Sequence, residues 1–145
     1  MNTLYQFLRS RGYGRVRLLT LPTNHYVVNA TLNSTVGRFI LDTGASTTCV
    51  STELAKHFHL NPKPSEEKAS SASSNELDTE VAHNNELMIG PWSSKRRSVV
   101  LFDMQAVNNA LQKHHIEKVD GIIGADILQS VNAIIDYKND WLYLR

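Results

Sequence analysis

The 145-residue chain holds one cysteine, Cys49, so no disulfide can form within it and a sulfur-stapled scaffold is excluded. Nothing about its cysteine usage points to an oxidising compartment. Four prolines and seven glycines are too few for a fibrous or low-complexity chain. No apolar run approaches the roughly 20 residues that a membrane-spanning helix needs. Met1 to Leu21 lacks the apolar stretch of a secretory leader. The expectation is a cytoplasmic protein without a membrane span. Charge of one sign is absent too: Lys and Arg number 15, Asp and Glu 14, for a net charge of +1. That balance argues against a nucleic-acid partner. The basic run Lys95-Arg96-Arg97 and the scattered Arg9, Arg11, Arg15 and Arg17 read as solvated charge. Six histidines have no cysteine cluster beside them. His57 and His59 are two apart on an expected helix and do not share a face, and the adjacent His114 and His115 diverge. No metal and no cofactor is therefore expected.

What remains is the composition of an ordinary soluble domain, 41% apolar and 20% charged, long enough for one core. Leu4, Phe7 and Leu8 fall at helical spacing before Gly12, which predicts a short amphipathic helix with a glycine stop. From Val16 onward the pattern is of strands. Tyr26 to Asn33 and Val36 to Leu41 form the arms of a hairpin about Asn33-Ser34. Thr47 to Val50 is a further strand, and Ser51 is placed to cap a helix from Thr52 to His59. Pro62 to Asn75 is the least hydrophobic stretch, centred on Ser70-Ser71-Ala72-Ser73-Ser74, and fits a loop projecting from a sheet. Strands are expected at Leu77 to Ala82, Glu86 to Ile89 and Arg96 to Phe102, followed by a helix that Asp103 caps. Ile134 to Leu144 reads as a closing hairpin. Many short strands with close turn signals predict a mainly β barrel or sandwich with a few short helices.

The informative segment is Phe39-Ile40-Leu41-Asp42-Thr43-Gly44-Ala45-Ser46. Three bulky apolar residues run directly into an acid, and delivering a carboxylate from a buried strand needs a compensating hydrogen bond or partner. Gly44 permits close backbone approach, so neighbouring amides can donate to the Asp42 carboxylate. With its apolar lead-in, Asp42-Thr43-Gly44-Ala45 resembles the signature of the retropepsin-like aspartic peptidases, the family of retroviral proteases and their cellular and bacterial relatives. A second element agrees. The family carries an apolar-apolar-glycine strand that passes beside the catalytic loop and leads into a short helix. Ile122-Ile123-Gly124 and the helix expected from Asp126 to Ser130 fill that place. The resemblance runs from about Tyr26 to the end, and the chain is read as an N-terminal helix and arm, 1–23, followed by a retropepsin-like domain, 24–145.

The resemblance implies a closed β-barrel of the acid-protease fold and hydrolysis of peptide bonds in a peptide or protein substrate. Two aspartates would hold one water; the chain has a single Asp-Thr-Gly, so the second must come from the partner in a homodimer. Close carboxylates share a proton, one acting as base toward the water and the other as acid toward the carbonyl oxygen. Asp42, Thr43 and Gly44 are thus the expected catalytic residues. Ala45, Ile122, Ile123, Gly124 and the flap residues Ser70, Ser71, Ala72, Ser73 and Ser74 are expected at the substrate. The flap lacks the glycines of a viral flap tip, which leaves a catalytically idle peptide-binding or scaffolding module as the alternative function. Ala45 cannot donate to the dyad as a hydroxyl residue would, which implies activity in mildly acidic to neutral buffer. The terminal hairpin, with Trp141, Tyr143 and Leu144, is expected to supply an interface sheet between subunits. Asp126 reads as a helix cap, and Asp120 and Asp136 as solvated strand ends.

Overall fold

A computed structural model describes residues 3–64, 69–70, 76–77 and 79–145. Helix α1 (Leu4–Ser10) leads into β1 (Gly14–Arg17) and β2 (Leu19–Thr20). The hairpin β3 (Tyr26–Leu32) and β4 (Thr35–Leu41) precedes β5 (Cys49–Ser51), a 3-10 turn (Thr52–Leu54) and β6 (Pro62–Pro64). Short strands β7 (Ala69–Ser70) and β8 (Glu76–Leu77) are followed by the long β9 (Glu80–Ile89) and β10 (Trp92–Phe102). Then come α2 (Gln105–Gln112), β11 (Gly121–Ile123), α3 (Ala125–Ser130), β12 (Ile134–Asp136) and β13 (Trp141–Leu144).

Among the described residues, six strands close into a ring: β3 pairs with β4, then β11, β5, β10 and β9 follow, and β9 returns to β3. Strand β2 hangs on β3 and β6 on β9, while β1, β13 and β12 make a separate antiparallel sheet. The expected mainly β barrel with few short helices is the architecture that forms.

Period-2 alternation assigns consecutive apolar residues to two cores. Phe39 and Leu41 face the barrel interior with Val28, Val50 and Ile123, whereas Ile40 joins Val27, Cys49, Met104 and Val119 beneath α2. Strands covered on both faces read as continuous apolar runs, which is why Phe39-Ile40-Leu41 and Ile122-Ile123 show no alternation. The β3–β4 turn is a two-residue loop with both φ angles positive, 49° at Asn33 and 71° at Ser34, matching the twist of the flanking strands.

Three local expectations change. The helix expected from Thr52 to His59 is one 3-10 turn followed by turns; His59, at φ 54°, ends it as the Leu60 amide returns to the Ala55 carbonyl. Ser51 makes no side-chain cap there. The break expected between Ala82 and Glu86 lies inside one strand, where Asn84 at φ 62° faces a register shift in β10. The buried Asn85 amide fixes that irregularity by donating to the carbonyls of Ala82 and Arg97 and accepting from Asn33 Nδ2. The terminal hairpin forms, but Tyr143 and Leu144 are 2% and 1% exposed within the protomer. Both edges of β13 are already paired, with β1 and with β12, so these residues are not free interface area.

Candidate active site

Asp42 follows the last residue of β4, where that strand runs parallel to β11 with Leu41 opposite Ile123. The Asp42 amide donates to the Ile123 carbonyl at 3.0 Å, so β11 fixes the point at which the chain leaves the barrel. The loop then folds on its own acid. Gly44 N–H donates to Asp42 Oδ1 at 2.8 Å, and Ala45 N–H to the Asp42 carbonyl at 3.2 Å. A Cβ on Gly44 would stand 3.2 Å from that carboxylate oxygen, so a larger residue would press on the bond.

Below the loop, the two glycines that flank Ile122 and Ile123 pass too close to neighbouring backbone for a side chain. A Cβ at Gly124 would lie 2.7 Å from the Ala45 carbonyl oxygen, and one at Gly121 2.2 Å from that of Cys49. The Ala125 amide donates to the Ala45 carbonyl at 2.7 Å, which ties α3 to the loop. The buried Thr48 hydroxyl is the centre of a second tie. It donates to Asp126 Oδ1 at 2.7 Å and accepts from the Gly124 amide at 3.0 Å. The same Oδ1 receives the amides of Thr48 and Ile127 at 3.0 and 2.8 Å. Asp126 therefore does more than the expected capping: Gly124 is the N-cap, and the carboxylate bolts α3 to the far end of the loop. Asp120 is likewise not a solvated strand end, since its Oδ2 accepts the Arg38 amide at 2.8 Å. Asp136 is 8% exposed and accepts the amides of Lys138 and Asn139 in the terminal turn.

The structure thus brings Asp42, Thr43, Gly44 and Ala45 together with Ile122, Ile123 and Gly124. The Ile123 side chain is fully buried in the barrel, so it reaches the loop only through its carbonyl; Ile122 is half-buried against the second core. Asp42 is exposed on the protomer, although the strand that delivers it is largely buried. Thr43 is also exposed and borders an open apolar groove of about 340 Å³ with Leu128, Ala133 and Ile135. Of the expected flap, Ser70 lies in β7, which pairs antiparallel with β8, Ser70 opposite Glu76. Ser71, Ala72, Ser73 and Ser74 lie outside the described residues. Gly121 and Thr48 were missed: the first was legible in the repeat Gly121-Ile122-Ile123-Gly124, whereas nothing local pairs Thr48 with an acid 78 positions away.

Cys49 is buried beside the loop, and burial, ahead of the nearby Asp126 and Asp42, pushes its thiol up to about 11. Among the described residues no group of three or more His, Cys, Asp or Glu could hold a metal. No described helix is long and apolar enough to cross a membrane.

A closed barrel whose parallel β4 and β11 present an Asp-Thr-Gly turn is the retropepsin-like fold, and three solved structures share it. A retropepsin-like aspartic protease from Rickettsia conorii aligns over 91% of this chain and 90% of its own, with TM-score 0.64 and 18% identity. The EIAV protease complexed with the inhibitor HBY-793 aligns over 81% of this chain and 99% of its own, with TM-score 0.59 and 17% identity. The retroviral protease-like domain of Ddi1 from Leishmania major gives 81% and 86%, with TM-score 0.55 and 17% identity. No curated protein sequence matches the chain significantly. A family model described as aspartyl protease matches residues 28–127, and the chain belongs to that family.

Proposed function

We propose that this chain is one half of an aspartic endopeptidase, completed by a second copy that brings its own Asp42 across a two-fold axis. The observation that carries the reading is the state of Asp42: a single carboxylate, held by the Gly44 amide at a loop anchored on three sides, yet exposed on the protomer. A carboxylate held in one place is what a dyad sharing one water requires. A two-fold axis beside Thr43 covers the adjoining groove and takes the paired carboxylates out of bulk water, where they share a proton. Asp42 supplies the base and acid. Thr43 and Gly44 hold it. Ala45, Ile122 and Gly124 shape the floor, and Ile123 acts through its backbone.

The β7–β8 pair is the base of a flap that folds over an extended peptide and excludes water. Residues 1–23 form an arm added to the protease domain at 24–145, and β1 of that arm is a strand of the terminal sheet. The test is cleavage of a mixed peptide library by wild type and Asp42→Asn, with and without a pepstatin-type inhibitor, alongside sedimentation. Inhibitor-sensitive cleavage by wild type, lost in Asp42→Asn while the dimer persists, supports the reading. Cleavage that survives the substitution overturns it. A dimer that binds peptides without cutting them favours the idle module, which the serine-rich, glycine-free flap sequence would suit.

A further inference from the structure

The arginines read as solvated charge do something else. On β1 and β13, Arg15 lies opposite Tyr143 and Arg17 opposite Trp141, so all four share one face of the terminal sheet. Helix α1 lies over that face and brings Tyr5 onto it. The Arg15 guanidinium sits 3.6 Å from the Tyr5 ring centre and 3.8 Å from that of Trp141; Arg17 stands 3.9 Å from Trp141. Stacking holds guanidiniums by their faces and leaves the N–H edges free for in-plane acceptors. Arg17 donates once, to the Asn139 carbonyl at 3.0 Å. No hydrogen bond or ion pair reaches the Arg15 guanidinium among the described residues.

The two arginines border a cleft of about 430 Å³ that also takes in Thr3, Asn139 and Tyr143. Tyr143 is the telling member. It is 2% exposed, it lines this cleft, and its hydroxyl has no hydrogen-bond partner among the described residues. The ring is packed, and the hydroxyl opens on the cleft with its donor free. The carboxylate in the cleft does not serve: Asp136 Oδ1 is held by the amides of Lys138 and Asn139, and its Oδ2 by Asn139 Nδ2 at 3.3 Å.

We propose that this cleft binds one anionic group, a carboxylate or a phosphate, between the edges of Arg15 and Arg17 and the Tyr143 hydroxyl. The forked, preorganised donors suit two or three oxygens on one centre. The site rests on no assumption about Asp42 and joins α1, β1 and β13, so an occupied cleft would fasten the N-terminal arm to the terminal sheet.

The test uses the full chain at constant ionic strength, balanced with chloride. Sodium phosphate, sodium succinate and a short glutamate-rich peptide are each titrated by calorimetry and thermal unfolding, with tryptophan fluorescence as a third readout. Saturable binding by at least one probe is expected, with a Tm rise of about several degrees at saturation. Arg17→Gln should weaken that binding roughly tenfold. Tyr143→Phe, which keeps the shape and removes only the hydroxyl, should weaken it about threefold without lowering the anion-free Tm. The probe that saturates identifies the source of the anion. A Tm no higher than in chloride for all three probes, or binding unchanged in both variants, would overturn the proposal and leave the stack as packing alone.

Discussion

Thr48 is where the candidate site is most easily broken without touching Asp42. Its buried hydroxyl is shared by the Gly124 amide and the Asp126 carboxylate. Thr48→Val keeps the shape, strands the Gly124 amide and takes one of three donors from Asp126, so unfolding in urea should show a loss of about 1–3 kcal/mol; Thr48→Ser should recover most of it. Gly124→Ala places a methyl 2.7 Å from the Ala45 oxygen, and the backbone must shift. A destabilisation of roughly 1–3 kcal/mol is expected. Peptide cleavage, on the proposed function, should fall further than stability alone accounts for. Cys49 offers a pH test. Its thiol ionises near 11 in the fold against an ordinary 9.0, so the unfolded chain loses this proton first. Stability from this group is whole below pH 9, declines as pH climbs through the interval and is gone above about 11. Iodoacetamide at pH 8 should accordingly label the denatured chain quickly and the native one slowly, as mass spectrometry would show.

Elements whose signal is local were legible in the sequence. The Asn33-Ser34 hairpin, the helix after Thr3 and the closing hairpin all follow from turn chemistry and spacing within about ten residues, and all form. The Asp42 loop was legible because an apolar run meets Asp-Thr-Gly, a pattern no ordinary strand end requires. What could not be read depends on distant partners. The expected break near Asn84 is a bulge inside β9, because the backbone irregularity is satisfied by Asn85 bonding to Arg97 and to Asn33, 52 positions away. Asn85→Ala should therefore cost about 1–3 kcal/mol in denaturant unfolding, more than an exposed asparagine would, since the buried bond to Ala82 and the part-buried one to Arg97 both lose their donor. Asp126 and Asp120 escaped for the same reason, with partners 78 and 82 positions away. An acid's sequence neighbours say little about whether backbone amides will converge on it. The terminal hairpin forms where expected, but β1 and β12 take both edges of β13, so Tyr143 and Leu144 are spent within the protomer.

At the scale of the molecule, the proposed activity belongs to two chains. Specific activity should rise with protein concentration until the dimer is saturated, and a tandem fusion of two copies should abolish that dependence. Mixing wild type with equal Asp42→Asn should leave about a quarter of the dimers with both acids if pairing is random, so activity should drop well below half. The order of the ring has a further consequence in time. Strand β11 sits between β4 and β5, yet begins 80 residues after the end of the first and 70 after the end of the second, so its pairings are slow to close. Ile123, Gly124 and Asp126, which shape the Asp42 turn, join a growing polypeptide some eighty residues after the acid. A ribosome-bound fragment that stops short of them carries the acid with no seat for it, and the Asp42 turn is withheld until they have been made.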